Sequence, residues 1–268
     1  MATFEAACVL IIALTLYAMS RRRRLGQLLP EYGLLSLSAW LGEQSCIAFY
    51  RFYSYSPAWH GRLLEVPILV PLIWPLVVLS ACQVARELWP QLTPERRAAV
   101  VAAIVAIDAS LVEVVAVRAG LWQWSEPGHL GVPLIGIFGW AYFALGAAWG
   151  LERLAGWRRG LIVLLGPLCA HALILLSYWG LFRWTLRGEL GRGALLGVVA
   201  VGGGALLVAL AVRRQGRAIP LPVALPRMVA ASLFLLLLCT HDPKNAKLWL
   251  HTAAVAVPYC AATRWRLA

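Results

Sequence analysis

The sequence has little charge and few of the motifs that bind nucleotides or metals. Only 13% of its 268 residues are charged, whereas a soluble globular protein carries about 25%. There is no P-loop and no glycine-rich nucleotide fingerprint. The histidines form no HxxxH or HxxHH cluster, and neither a DDxxD element nor a CxxC pair occurs. These absences argue against nucleotide-driven enzymes, di-iron hydroxylases and metal-dependent prenyl-diphosphate enzymes.

Positive charge is in excess, with a formal net charge of +12. Most basic residues lie in short segments between apolar blocks, where they set the orientation of membrane helices, and Arg227 lies within a block. No basic stripe interleaved with aromatic residues marks a soluble face, so nucleic acid is not expected as a partner. Arg21 to Arg24 directly follow the first apolar block. We therefore expect a retained first helix whose C-terminal end is cytoplasmic.

Apolar residues make up 61% of the chain. They fall into blocks of about 20 residues, the length that crosses the hydrocarbon core as a helix. The last block is the least apolar, so we expect eight or nine spans. The sequence therefore predicts an all-α polytopic membrane bundle, a single transmembrane domain over residues 1–268 with no sizeable soluble domain. The expected location is the cytoplasmic membrane of a bacterium or archaeon. The blocks are 3–19, 31–50, 64–85, 98–117, 131–151, 160–182, 193–212, 221–240 and 246–262.

A helix–loop–helix pattern occurs twice, over about residues 31–85 and 98–151. Each copy has a glutamate, an aromatic-x-aromatic-serine element nine to ten residues later, a proline, a Val-Pro pair, and a tryptophan seven residues after that pair's proline. Both copies have the same predicted orientation, as in a parallel repeat. An interfacial aromatic belt is the alternative reading of the rings. The matched residues are Glu43, Tyr53, Tyr55, Pro57, Pro67 and Trp74, then Glu113, Trp122, Trp124, Pro127, Pro133 and Trp140.

Four carboxylates fall where hydrocarbon makes them costly. Glu43, Asp108 and Glu113 lie inside or at the ends of spans, and Glu65 begins the third span. A charged side chain at the bilayer centre costs roughly 3 kcal/mol on insertion scales. Burial disfavours the charged form, and a carboxylic acid that stays neutral can donate a proton. The structural alternative is an ion pair or interhelical hydrogen bond, with Arg51 and Arg118 as candidate partners.

These motifs resemble the integral-membrane carotenoid-biosynthesis protein family. That family includes hydratases acting on the acyclic ends of carotenoids such as bacterioruberin precursors and γ-carotene. In the first copy, the segments Phe49–Tyr55 and Val66–Trp74 carry the resemblance. In the second, Asp108, Glu113 and the Trp122–Trp124 element precede Gly131-Val132-Pro133-Leu134 and Gly139-Trp140.

The resemblance implies an enzyme that protonates a terminal isoprenoid double bond and adds water to the resulting tertiary cation. We expect Glu113 and Asp108 to be the acid/base groups, with Glu43 next. The end-group pocket would be shaped by Tyr53, Tyr55, Trp122 and Trp124, with Trp74, Trp140 and Glu65 also binding substrate. No metal or redox cofactor is required. The expected partners are a hydrophobic isoprenoid or carotenoid and membrane lipid.

Two other functions fit the same residues. If a second double bond captured the cation instead of water, the site would belong to a cyclase. If the aromatic loops only gripped a lipid or pigment, the protein would be a non-catalytic carrier and its carboxylates would be structural. A product heavier by one water or carrying a ring indicates an enzyme, and unchanged bound lipid indicates a carrier.

Overall fold

Helices make up most of the described part of the chain. The computed structural model describes residues 1–126, 128–182 and 191–264, with the side chains of all of these except residues 182 and 191–195. A 3-10 turn, Gly156–Leu161, precedes the sixth helix, and a π-helix, Leu175–Phe182, continues it. The α-helices of the described segments are α1 (Ala2–Ser20), α2 (Leu25–Tyr50), α3 (Leu69–Leu88), α4 (Pro94–Arg118), α5 (Leu134–Arg153), α6 (Ile162–Ile174), α7 (Gly191–Arg214), α8 (Leu221–His241) and α9 (Ala246–Ala262).

The helices confirm the predicted all-α membrane fold. Among the described residues, seven helical segments are long and apolar enough to cross a membrane: α1, α3, α4, α5, α6 with its flanking turns, α7 and α8. The other two predicted spans are also helices. α2 has 26 residues, among them Glu31 and Glu43, and α9 has 17. Every apolar block of the sequence therefore corresponds to a helix, and the chain is an integral membrane protein.

Short strands connect the two predicted repeat copies. β1 (Tyr53–Tyr55) follows α2, and β4 (Trp122–Trp124) follows α4. The two strands pair antiparallel, with Ser54 opposite Gln123. The loops of the two copies therefore lie together on one side of the bundle, as the predicted orientation requires. Pro127, which was matched to Pro57, lies outside the described residues.

The predicted start of the third span at residue 64 is wrong. Residues 62–67 form a hairpin of β2 (Arg62–Leu63) and β3 (Val66–Pro67), and α3 begins only at Leu69. Leu64, at the turn, has a left-handed φ of 56°, and the equivalent Leu130 of the second copy has φ 54°. Hydropathy extended the span because Leu64, Val66 and Ile68 precede the helix directly. Pro67 consequently ends a strand, whereas Pro133 is the N-cap of α5.

Several ion pairs lie at the end of the helices opposite the aromatic strands. Arg23 and Arg159 both contact Glu31, and Arg86 and Arg97 both contact Glu152. Because these residues come from segments predicted to be cytoplasmic, the structure brings those segments to one end of the bundle. The opposite end carries β1 and β4. A last pair of strands, β5 (Ile219–Pro220) and β6 (Thr263–Arg264), runs parallel.

Candidate functional site

The first buried carboxyl group belongs to Glu43 on α2. Glu43 is 9% exposed. The hydroxyl groups of Tyr53 and Tyr55 both donate to Oε2, the latter at 2.8 Å. The indole Nε1 of Trp74, on α3, donates to Oε1 at 2.7 Å. Two phenols and one indole thus supply this carboxyl group with hydrogen bonds in place of water.

The second buried carboxyl group belongs to Glu113 on α4, a residue only 2% exposed. Trp122 and Trp124 donate from Nε1 to Oε2 at 2.9 and 3.0 Å. Trp140, on α5, donates from Nε1 to Oε1 at 2.7 Å. Three indoles therefore bind Glu113 at the positions equivalent to the three donors of Glu43.

The two halves meet through their aromatic residues. In the paired strands Tyr53 lies opposite Trp124, and Tyr55 lies opposite Trp122. Below the strands, the rings of Trp74 and Trp140 stack with centroids 3.5 Å apart. Each carboxyl group is consequently held by its own repeat copy, while the rings around it contact the other copy. This arrangement is an approximate twofold relation between the copies.

A cavity of about 70 Å³ lies between the two carboxyl groups. None of the described residues that line it is cationic, so neither carboxyl group has a charged partner there. An engineered cavity that accepts benzene measures roughly 150 Å³, so this one holds only a small group or about two waters. Its lining residues are Ala39, Gly42, Glu43, Cys46, Phe52, Tyr53, Tyr55, Trp74, Glu113, Trp122, Trp124, Ile135, Gly136, Gly139, Trp140, Phe143, Ala170 and Ile174.

Eight of the ten residues predicted from the sequence as catalytic or substrate-binding line this cavity. They comprise both repeat-matched glutamates and all six aromatic residues. The other two, Asp108 and Glu65, lie elsewhere. The structure thus brings together the residues that recur in both copies and separates the two that do not.

Asp108 faces other helices. Its carboxylate pairs with Arg227 of α8 and accepts a hydrogen bond from the Tyr259 hydroxyl of α9 at 2.8 Å. Arg227 also donates to Oγ of Ser80 at 2.6 Å. Asp108 and Glu113 are five residues apart and so lie about 140° apart around α4. That rotation directs Asp108 away from the cavity, so the structure does not bring it together with Glu43 and Glu113 as the sequence had predicted.

Glu65 lies in the turn of the β2–β3 hairpin and is exposed. Its backbone N–H donates to Gln44 Oε1 at 3.0 Å. The arginines proposed as ion-pair partners do not serve the buried glutamates either. The guanidinium of Arg118 lies 3.9 Å from Asp242, and the backbone carbonyl of Arg51 accepts from Ser125.

Sequence reasoning missed the apolar wall of the site. Ala170 and Ile174 of α6 line the cavity together with Phe143 of α5, and no motif distinguishes such residues from other span residues. Gly136 carries a subtler signal because it lies between the Val-Pro pair and Trp140. A Cβ atom there would lie 2.6 Å from Cζ2 of Trp124, so this glycine leaves room for a ring that binds Glu113.

Comparison with known proteins gives one family. A family model described as "carotenoid biosynthesis protein" matches residues 1–200. That region contains both repeat copies and every residue lining the cavity. No curated protein matches the chain. No solved structure matches it either.

Proposed function

The chain belongs to the carotenoid biosynthesis protein family, and from that premise we propose that it is a hydratase acting on an acyclic isoprenoid or carotenoid end group. One observation carries the proposal: two buried carboxyl groups, each bound only by neutral donors, face one cavity walled by aromatic rings. Acid catalysis of water addition needs a proton donor, shelter for a cation and a proton acceptor. The cavity offers candidates for all three.

Glu113 is the proposed proton donor. Its three hydrogen-bond partners are indole N–H groups, which donate and cannot accept. An acidic hydrogen on Glu113 therefore has no acceptor among them and is directed towards the cavity. It would be transferred to the CH carbon of a terminal (CH₃)₂C=CH– group as the π bond breaks, leaving a tertiary cation at the dimethyl carbon and a carboxylate on Glu113.

The aromatic rings would stabilise that cation. A cation over a ring face gains about 0.5–2 kcal/mol, and Trp is the strongest partner. Four tryptophans and two tyrosines line the cavity, and their N–H and O–H groups are occupied by the carboxyl groups. The ring faces can therefore stabilise the cation while the polar groups of the same rings stay bonded to the carboxyl groups.

Water would then add its oxygen to the cationic carbon and release one proton, giving a tertiary alcohol. Glu43 is the proposed acceptor of that proton, across the cavity from Glu113. The net reaction adds one H₂O to one C=C bond and changes no oxidation state overall. Turnover is complete when a water molecule in the cavity carries the proton from Glu43 back to Glu113.

The size of the cavity favours hydration over cyclisation. At about 70 Å³, it is half the size of the roughly 150 Å³ cavity that accepts benzene. A methylated six-membered carbocycle is larger than a branched chain end with one water, so hydration needs less space than cyclisation. We further propose that substrate reaches the site from membrane lipid, in the cytoplasmic membrane of a bacterium or archaeon.

Glutamine substitutions test the proposal. Both substitutions keep the shape of the side chain. Glu113→Gln removes the proposed proton donor, and Glu43→Gln removes the proposed proton acceptor. Expressed in a host that makes acyclic carotenoids, each variant should form at least 100-fold less hydrated pigment than the unmodified protein, the order of magnitude of general acid–base catalysis (about 10²–10⁴). Liquid chromatography with mass spectrometry measures the pigment heavier by one water.

Glu87→Gln is the matched control, because Glu87 pairs with Arg22 at the other end of the bundle. It should leave the pigment yield unchanged. Unmodified levels of hydrated pigment from both cavity variants would refute acid catalysis by these glutamates. A ringed product from the unmodified protein would indicate a cyclase, and unchanged pigment that purifies with the protein would indicate a carrier.

A further inference from the structure

The two halves of the site differ in one chemical respect. The carboxyl group of Glu43 is bound by two phenols and one indole, and that of Glu113 by three indoles. Backbone pairing, the tryptophan stack and the positions of the donors are otherwise equivalent in the two copies. The donors to the two carboxyl groups therefore differ by the replacement of indole by phenol at two equivalent positions.

Phenol and indole have different capacities for moving protons. An indole N–H is a donor only, whereas a phenol oxygen donates one hydrogen and also accepts through its lone pairs. Tyr53 and Tyr55 each donate their hydrogen to Glu43 and line the cavity with the same ring. Their oxygens can thus accept a hydrogen bond from a molecule in the cavity while their own O–H groups stay hydrogen-bonded to Glu43.

We propose that Tyr53 and Tyr55 form a proton relay that takes the proton of the attacking water to Glu43. This inference rests on the proposed hydration. As the water oxygen bonds to the cationic carbon, one water O–H bond breaks and its proton joins a phenol oxygen. The phenol's original O–H bond breaks at the same time, and that proton joins the carboxylate of Glu43. The phenol ends the step neutral, and the product is a tertiary alcohol.

Two further observations support the relay. Burial raises the pKa of both tyrosines well above the ordinary value, and the adjacent Glu43 raises it further. Each phenol therefore releases its hydrogen only when it receives another. The residue between them, Ser54, is exposed and lies opposite the exposed Gln123, so only the paired strands lie between the tyrosine side chains and the surface that supplies water.

The relay predicts that removal of the phenol oxygens changes the fraction of the cation that is hydrated and the fraction that returns to substrate. In the double variant Tyr53→Phe, Tyr55→Phe, Glu113 still forms the cation, but water loses its route for deprotonation. The cation then returns a proton to Glu113 more often. In D₂O, hydrated product should fall at least about tenfold, while recovered substrate gains deuterium at its end group. The ratio of hydrated to deuterated pigment within one sample does not depend on how much protein folds.

Two control variants separate the relay from general damage. Tyr32→Phe removes a hydroxyl that binds the Leu72 carbonyl away from the cavity, and it should leave the ratio unchanged. Trp122→Phe removes the equivalent donor of Glu113 and should lower hydration and exchange together. The relay is overturned if the tyrosine double variant keeps the ratio of the unmodified protein. If the unmodified protein itself gives neither hydration nor exchange, the proposed function fails instead.

Discussion

At the scale of single residues, the aromatic-x-aromatic elements follow from strand geometry. Side chains two apart along a strand point to the same face. Tyr53 and Tyr55 therefore both reach Glu43, and Trp122 and Trp124 both reach Glu113, while the residue between each pair faces outward. Two strands of three residues thus provide four of the six donors that satisfy the buried carboxyl groups.

Gly136 offers a test of how closely the rings are held. Alanine has the higher helix propensity, by about 1 kcal/mol, but its Cβ would lie 2.6 Å from a ring atom of Trp124. Such overpacking costs about 1–3 kcal/mol. We expect Gly136→Ala to lower the melting temperature in detergent slightly and to reduce hydrated pigment about tenfold or more, because small displacements at a reaction centre can cost about 10²-fold.

The matched control is Gly204→Ala in α7, where a Cβ atom meets nothing within 4 Å. This variant should keep both the pigment yield and the melting temperature. Unchanged pigment from Gly136→Ala would show that Trp124 can move without consequence, and the tight placement of that ring would then have no catalytic meaning.

At the scale of helices, α4 carries two acidic side chains with different surroundings. Glu113 faces the cavity, and Asp108 binds α8 and α9 through Arg227 and Tyr259. The ion pair is mostly buried, with side-chain exposures of 12% for Arg227 and 19% for Asp108. Asp108 therefore joins the C-terminal helices, which lie beyond the residues matched by the family model, to the part of the chain that forms the cavity.

Breaking this ion pair should lower the stability of the fold more than the rate of hydration. Removing one partner of a buried pair leaves an uncompensated charge and costs about 3–5 kcal/mol. Asp108→Asn and Arg227→Met should each lower the melting temperature strongly, and the double variant should recover most of the loss because neither charge remains. Thermal unfolding in detergent measures this cycle.

Pigment analysis of the same variants examines Asp108 separately. The double variant, corrected for folded protein, should hydrate substrate at the rate of the unmodified chain. A stable double variant without hydrated product would contradict the purely structural role assigned here to Asp108.

At the scale of the whole molecule, the ends of the bundle differ in composition. One end gathers arginines paired with Glu31, Glu87 and Glu152. The other carries the two aromatic strands. Cytoplasmic loops are enriched in Lys and Arg, so the cavity is expected near the outer surface, where β1 and β4 separate it from water.

Single cysteines test this orientation. Ser54 lies in β1 and Arg158 in the 3-10 turn before α6, and both are exposed. A membrane-impermeant maleimide added to intact cells should label Ser54→Cys but label Arg158→Cys only after the membrane is opened. The native cysteines lie within helices, so the unmodified protein measures the background. The reverse pattern would invert the orientation.

The sequence alone was sufficient to predict the helices and eight of the residues that line the cavity. Length and apolarity determine whether a segment crosses the bilayer, because unpaired backbone groups are too costly in hydrocarbon. The repeat identified both glutamates and their six aromatic partners, since equivalent positions in equivalent hairpins make equivalent contacts. It could not identify Ala170 or Ile174, because an apolar residue facing a cavity looks like one facing lipid.

Only the tertiary structure decided how these parts are combined. It directs Asp108 to Arg227, a residue 119 positions away, and leaves Glu65 in an exposed turn. It also pairs β1 with β4 so that Glu43 and Glu113 face one cavity. Partner choice of this kind depends on the rotation of each helix and on which helices are neighbours. Both are set by the packing of the whole bundle and not by any local pattern of residues.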